Sequence, residues 1–200
     1  MAPPVETVTG VILAGGQARR MGGNDKGLIP VAGRPMIEFI IDALRPQVAT
    51  LMINANRNRE HYEKYGFSVI ADELAGFNGP LAGMASCMRV AETKYMATLP
   101  CDSPYVPDDL VARLYRSLVE HDADISVAHN GDRLQPVYSL MKCSLLDSLL
   151  DYLDSGERKI DRWYARHRMT ETDFSDVPET FINANTPEDI AGIEKTLKHA

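Results

Sequence analysis

Tryptophan occurs once and cysteine three times in these 200 residues, and aromatic residues make up only 7% of the chain. Cys87, Cys101 and Cys143 are odd in number, far apart and without a CxxC pair, so they predict neither a disulfide framework nor a zinc site. A reducing compartment suits them. No uncharged apolar run approaches the roughly 20 residues of a membrane span, and Met1 to Glu6 has no basic segment leading into an apolar one. The reading is a cytoplasmic protein with no membrane partner. Positive charge is the scarcer sign: Lys and Arg total 21 against 28 Asp and Glu, a net charge of −7. That balance opposes polyanions, so no nucleic acid partner is expected. Standard fingerprints are missing too. The five histidines form no HExxH, Lys26 is followed by Gly27 rather than by Ser or Thr as in a Walker loop, and Gly15-Gly16-Gln17 breaks the GxGxxG pattern.

What is present is the ordinary composition of a folded domain, 44% hydrophobic and 24% charged. Residues 7–14 form a β-branched, apolar run that ends in two glycines, the pattern of a buried strand feeding a loop. A helix over 35–45, strands over 50–54 and 67–71, and a polar helix over 57–65 follow. A further helix comes after Gly79-Pro80, then a strand over 95–99 and a helix over 107–121. Strands over 125–128 and 136–140 and a helix over 144–153 continue the alternation, and Thr186-Pro187-Glu188-Asp189 caps a last helix. This predicts an α/β fold, a single three-layer α/β/α sandwich on a mostly parallel sheet, whose ligands bind beyond the C-terminal strand ends. No repeat or linker divides the chain.

The loop after the first strand concentrates charge. From Val11 to Pro35, Arg19, Arg20, Lys26 and Arg34 stand against Asp25, a balance of 4 − 1 = +3 in a chain of −7. Glycines let backbone N–H groups approach an anion while Arg and Lys supply cationic donors, so the loop predicts phosphate binding. A solvated loop, with Arg19 and Lys26 in surface ion pairs such as one to Asp25, is the plain alternative. Asp102, just past the 95–99 strand, is either a turn former or a hard oxygen ligand. Asn54 and Asp72 likewise follow strands, and Gly79 and Gly83 flank a helix start whose amides suit phosphate. Trp163 reads as packing.

Leu13-Ala14-Gly15-Gly16, Arg19, Met21-Gly22 and Lys26 resemble the xLAGGxxxRMGxxK signature of nucleotidyltransferases with a Rossmann-like, nucleotide-diphospho-sugar-transferase fold. With Asn54-Ala55-Asn56-Arg57, Gly79-Pro80-Leu81-Ala82-Gly83-Met84, Pro100-Cys101-Asp102-Ser103-Pro104 and Asn183-Ala184-Asn185-Thr186-Pro187, the resemblance narrows to the molybdenum cofactor guanylyltransferases, the MobA family. It implies transfer of GMP from GTP to molybdenum-bound molybdopterin with release of pyrophosphate. It further implies Arg19, Lys26 and Asp102 as catalytic residues, and Asp102 as the ligand of Mg²⁺. Nucleotide contacts would come from Leu13, Ala14, Gly15, Gly16, Lys26, Asn54, Asp72, Gly79, Gly83 and Asp102, with Asp72 accepting from guanine. Lys159, Asn183 and Asn185 would face the acceptor, although a solvated helix face or turn explains them as well. The resemblance divides one domain, 1–200, into a nucleotide-binding part over about 7–105 and an acceptor-binding part over about 106–200. It also implies docking to the molybdenum-insertion enzyme and to recipient molybdoenzymes. CTP-using relatives carry a second alanine at position 15, so LAGG favours GTP; a cytidylyltransferase and a non-catalytic nucleotide-binding protein are the alternatives.

Overall fold

The computed structural model of the chain describes residues 5–14, 25–73 and 79–197. Strands β1 (Val8–Leu13), β4 (Thr50–Asn54), β5 (Ser68–Ile70), β6 (Tyr95–Pro100), β7 (Ile125–His129), β8 (Leu134–Lys142) and β9 (Met169–Asp173) form one sheet in the order β5-β4-β1-β6-β8-β7-β9. All pairings are parallel except those of β8. Two short strands, β2 (Pro30–Val31) and β3 (Arg34–Pro35), make a separate hairpin.

Alternation along the strands builds two cores. Val8, Ile12, Leu51, Ile53, Ala97 and Leu99 meet α1 (Met36–Leu44), α2 (Arg59–Glu63) and α4 (Leu110–Glu120) on one face. Val11, Met52 and Met96 turn to the other face and meet α3 (Pro80–Val90), α5 (Leu146–Asp154) and α6 (Ile160–Tyr164). Strands covered on both faces need apolar residues at every step, which is why their sequences read as unbroken runs. A smaller cluster of Val31, Met36, Ala184 and Ile193 attaches α7 (Pro187–Leu197). The three-layer α/β/α sandwich expected from the sequence is thus the observed architecture. No helix among the described residues is long and apolar enough to cross a membrane.

Departures from the sequence expectations have local causes. The helix expected over 57–65 is only Arg59–Glu63, because Asn58 is left-handed (φ 51°) before it and Gly66 (φ 78°) turns the chain after it. Strand β8 runs from Leu134 to Lys142, longer than the 136–140 expected, and its register with β7 shifts between Val127 and Ala128. Both α6 and β9 went unforeseen. In β9 the inward residues are threonines, and Thr170 and Thr172 bond to Ser117 and Ser126 across the interior. Trp163 is fully buried in the second core, as packing.

The chain leaves β1 toward one side through β4 and β5 and returns on the other side with β6. Strand order therefore reverses between β1 and β6, the place where open α/β sheets bind ligands.

Candidate active site

Hydrogen bonds beyond the regular ladder bind the C-terminal strand ends into one edge. The N–H of Ala14 donates to Asn54 O at 2.8 Å, that of Ala55 to Ile70 O at 3.0 Å, and that of Cys101 to Leu13 O at 3.2 Å. Side chains that follow β4, β5 and β6 are thereby fixed relative to one another. At adjacent-strand spacings of ~4.8 Å, the ends of β5 and β6 lie roughly 14 Å apart across three intervals.

On the β6 side the central group is Lys26. Its ammonium donates to Asp102 Oδ2 at 2.9 Å and to Asn185 Oδ1 at 2.5 Å. Lys26 and Asp102 keep 23% and 16% of their side-chain surfaces exposed, enough for a ligand to reach them. Lys26 is aimed by its neighbour. The buried Asp25 carboxylate accepts from Tyr62 Oη at 2.6 Å and from Asn58 Nδ2 at 3.4 Å, and Asp25 O accepts from Leu28 N at 3.0 Å. The surface pair between Lys26 and Asp25, raised as an alternative from the sequence, is not what forms: Asp25 points into the protein and Lys26 reaches Asp102.

The segment leading to α7 closes this side. Asp102 O accepts from Ala184 N at 2.8 Å, and the buried Ser103 Oγ donates to Asn183 Oδ1 at 2.5 Å. Asp189 Oδ2 accepts from the N–H groups of Asn185 and Thr186, while Thr186 Oγ1 accepts from Asp189 N. This reciprocal cap is the one expected from Thr186 to Asp189. The backbone N–H of Asn185 holds the Asp189 carboxyl below the ordinary carboxylate range. Asn183 therefore braces the turn, whereas Asn185 meets Lys26.

On the β5 side Asp72 is held by amides. Asn54 Nδ2 donates to Asp72 Oδ1 at 2.9 Å and to Ile70 O at 3.0 Å, and Asn56 Nδ2 donates to Asp72 Oδ2 at 2.8 Å. Gly79, at φ 74°, turns the chain into α3 where a side chain would be strained. Gly83 answers to a different constraint: a Cβ there would stand 2.2 Å from Asn54 Oδ1. Its missing side chain makes room for Asn54.

The remaining sequence-predicted residues divide simply. Leu13 and Ala14 lie on the same strand edge, while Gly15, Gly16 and Arg19 fall outside the described residues. Lys159 is exposed at the start of α6, and its carbonyl accepts from Tyr152 Oη at 2.8 Å. Arg158 donates to Leu153 O and Glu157 O, closing the end of α5. Among the described residues no hydrogen bond joins Lys159 to Lys26 or Asp102. The residues missed from the sequence are Tyr62, Ser103 and Asn56. Ser103 and Asn56 stand in segments that carry the family resemblance, and Asn54 and Asn56, two apart at a strand exit, share one side; Tyr62 left no such signal.

The three cysteines are free thiols, two buried and Cys143 partly so. Burial pushes Cys87 up to about 12 and Cys143 up to about 11, and raises Cys101 as well. No group of three or more His, Cys, Asp or Glu among the described residues could cage a metal. One carboxylate on a strand end suits Mg²⁺, which takes one or two protein carboxylates and completes its shell with phosphate oxygens and water. Asp102, whose Oδ2 is already paired with Lys26, is the residue that could supply that one carboxylate.

Residues 10–170 match the MobA-like NTP transferase domain. The chain belongs to the MobA-like NTP transferase family. Membership makes it a nucleotidyltransferase. It is 52% identical over 181 residues to a protein of Shewanella pealeana named molybdenum cofactor guanylyltransferase, covering 90% of each. To a protein of the same name from Shewanella loihica it is 47% identical over 199 residues, the full length of both. Among solved structures it is similar to molybdopterin-guanine dinucleotide biosynthesis protein A from Archaeoglobus fulgidus, with a TM-score of 0.79 and 22% identity over 96% of this chain and 100% of that one. A nucleotidyl transferase from Methanothermobacter gives a TM-score of 0.74 and 20% identity over 97% and 99%. At these identities the two structures speak for the shared fold.

Proposed function

We propose that the protein is a molybdenum cofactor guanylyltransferase, which transfers GMP from GTP to molybdenum-bound molybdopterin and releases pyrophosphate. The observation that carries this reading is the convergence of Lys26, Asp102 and Asn185 at the reversal point of the sheet. The likeness to relatives of that name, over 90% of the chain in one case and all of it in the other, suggests the substrates.

A terminal phosphate oxygen of the acceptor attacks the α-phosphorus of GTP. A new P–O bond forms as the bond from the α-phosphorus to the bridging oxygen breaks, and the electron pair leaves with pyrophosphate. The reaction consists mainly of positioning and charge stabilisation, and it needs no protein nucleophile. Lys26 offers a cationic donor to the β- and γ-phosphates, and Arg19 is assigned the same work by the family pattern. Asp102 would hold Mg²⁺, which when bound neutralises triphosphate charge. Asp72, at the other end of the edge, accepts from the guanine N1–H and N2–H₂, with Asn54 beside it. Lys159, Asn183 and Asn185 are assigned to the acceptor side. In the cytoplasm the product would pass on by docking to the molybdenum-insertion enzyme and recipient molybdoenzymes.

Pyrophosphate release in the presence of Mg²⁺, GTP and molybdenum-loaded molybdopterin tests this. Asp102→Ala is expected to lose turnover by at least 100-fold with its fold intact by circular dichroism, an effect on the scale of losing one charge-stabilising group. Near-normal turnover in that variant would overturn the assignment.

A further inference from the structure

Asp72 is set by more than its own backbone. While Asn54 and Asn56 each donate to one carboxylate oxygen, Asn56 Oδ1 also accepts the N–H of Asp72 at 2.8 Å. The Asn56 amide therefore grips backbone and carboxylate of the same residue, and only one of its two orientations serves both. Flipped, its oxygen would face the carboxylate and its NH₂ the N–H. The next residue is tethered too, since Glu73 N donates to Ser86 Oγ of α3 at 3.0 Å. A carboxylate oxygen has two lone pairs. Among the described residues one asparagine donates to each oxygen, which leaves each a lone pair for a ligand, and the two bonds hold the carboxylate's orientation. Guanine presents two parallel donors, N1–H and N2–H₂, and a rigid carboxylate meets both at once.

We propose that Asn56 is a positioning residue for base selection, clamping Asp72 so that its two oxygens engage the paired donors of guanine together. This rests on the reading of Asp72 as the base acceptor. Asn56 itself is exposed on its loop, so replacing it leaves the core alone.

The test is calorimetric binding of GTP and of inosine triphosphate, which lacks the 2-amino group, each with Mg²⁺ and without acceptor. In Asn56→Ala the preference for GTP over inosine triphosphate is expected to fall roughly tenfold, the size of one charge-assisted hydrogen bond. Asn56→Asp keeps the acceptor for the Asp72 N–H but sets like charge against the carboxylate, so it should lose at least as much. An unchanged ratio in Asn56→Ala overturns the inference, as does a wild-type ratio in Asn56→Asp, which would mean that only the backbone bond matters. Asp72→Asn separates the two levels. If it keeps the ratio, the base-acceptor reading fails and the clamp with it; if it loses the ratio while Asn56→Ala does not, the clamp alone fails.

Discussion

Replacing Gly83 with alanine sets two effects of opposite sign against each other inside one helix turn. Alanine is better than glycine in a helix interior by about 1 kcal/mol, so propensity alone favours the change. The new Cβ would stand 2.2 Å from Oδ1 and 2.7 Å from Cγ of Asn54, closer than real contacts allow. Asn54 is only 3% exposed and lies at the end of β4, so it can yield only by turning its amide away. That breaks the bonds from Nδ2 to Ile70 O and Asp72 Oδ1. A neutral hydrogen bond is worth about 1 kcal/mol and one to a charged group about 1.5–3, so roughly 2.5–4 kcal/mol is lost against about 1 gained. The net cost is about 1.5–3 kcal/mol, or a fall in Tm of roughly 3–12 °C for a chain of this size. Calorimetric melting measures it, and the same sample should bind GTP more weakly because Asp72 has lost one of its holders. A raised Tm with unchanged GTP affinity would mean that helix propensity outweighs the displaced Asn54 amide.

Two further outcomes follow from polar groups away from the strand edge. Tyr62→Phe removes a donor from the buried Asp25 carboxylate and should cost about 1.5–3 kcal/mol in denaturant unfolding while weakening triphosphate binding through Lys26; an unaltered midpoint would show that Asn58 suffices. Asp124 accepts from Arg168 and Lys142, and these bonds hold its carboxyl below the ordinary carboxylate range. A carboxyl lowered on folding stabilises above its unfolded pKa of about 4 and loses that contribution as pH falls toward the folded value. Asp124→Asn should therefore melt lower than wild type at pH 7, with the gap closing below about pH 4. A constant gap across that range would contradict the ionic origin.

Strand runs such as residues 8–13 and 95–100 were legible in the sequence because burial on both faces demands apolar residues throughout. Strand β9 was not, because its inward Thr170 and Thr172 bond to side chains of α4 and β7 and leave no hydrophobic period to read. Helix α6 is short, and its identity lies in the tertiary burial of Trp163 and Tyr164. At the site, sequence could place Lys26, Asp72 and Asp102 after strands, since chain order alone does that. It could not tell that Asp25 turns inward to Tyr62, a partner 37 positions away, or that Asn183 braces Ser103 while Asn185, two residues on, meets Lys26. Those distinctions come from long-range packing, on which local composition is silent. Gly83 shows the same limit: its place suggested phosphate at a helix start, and the structure adds the approach of Asn54.

Following the label of α-phosphate-labelled GTP into molybdenum-bound molybdopterin measures transfer of the guanylyl group itself. With CTP present in equal amount, one labelled GMP should enter the product for each pyrophosphate released, with little transfer from labelled CTP. Pyrophosphate without labelled product, or preferential incorporation of the cytidylyl group, would contradict it.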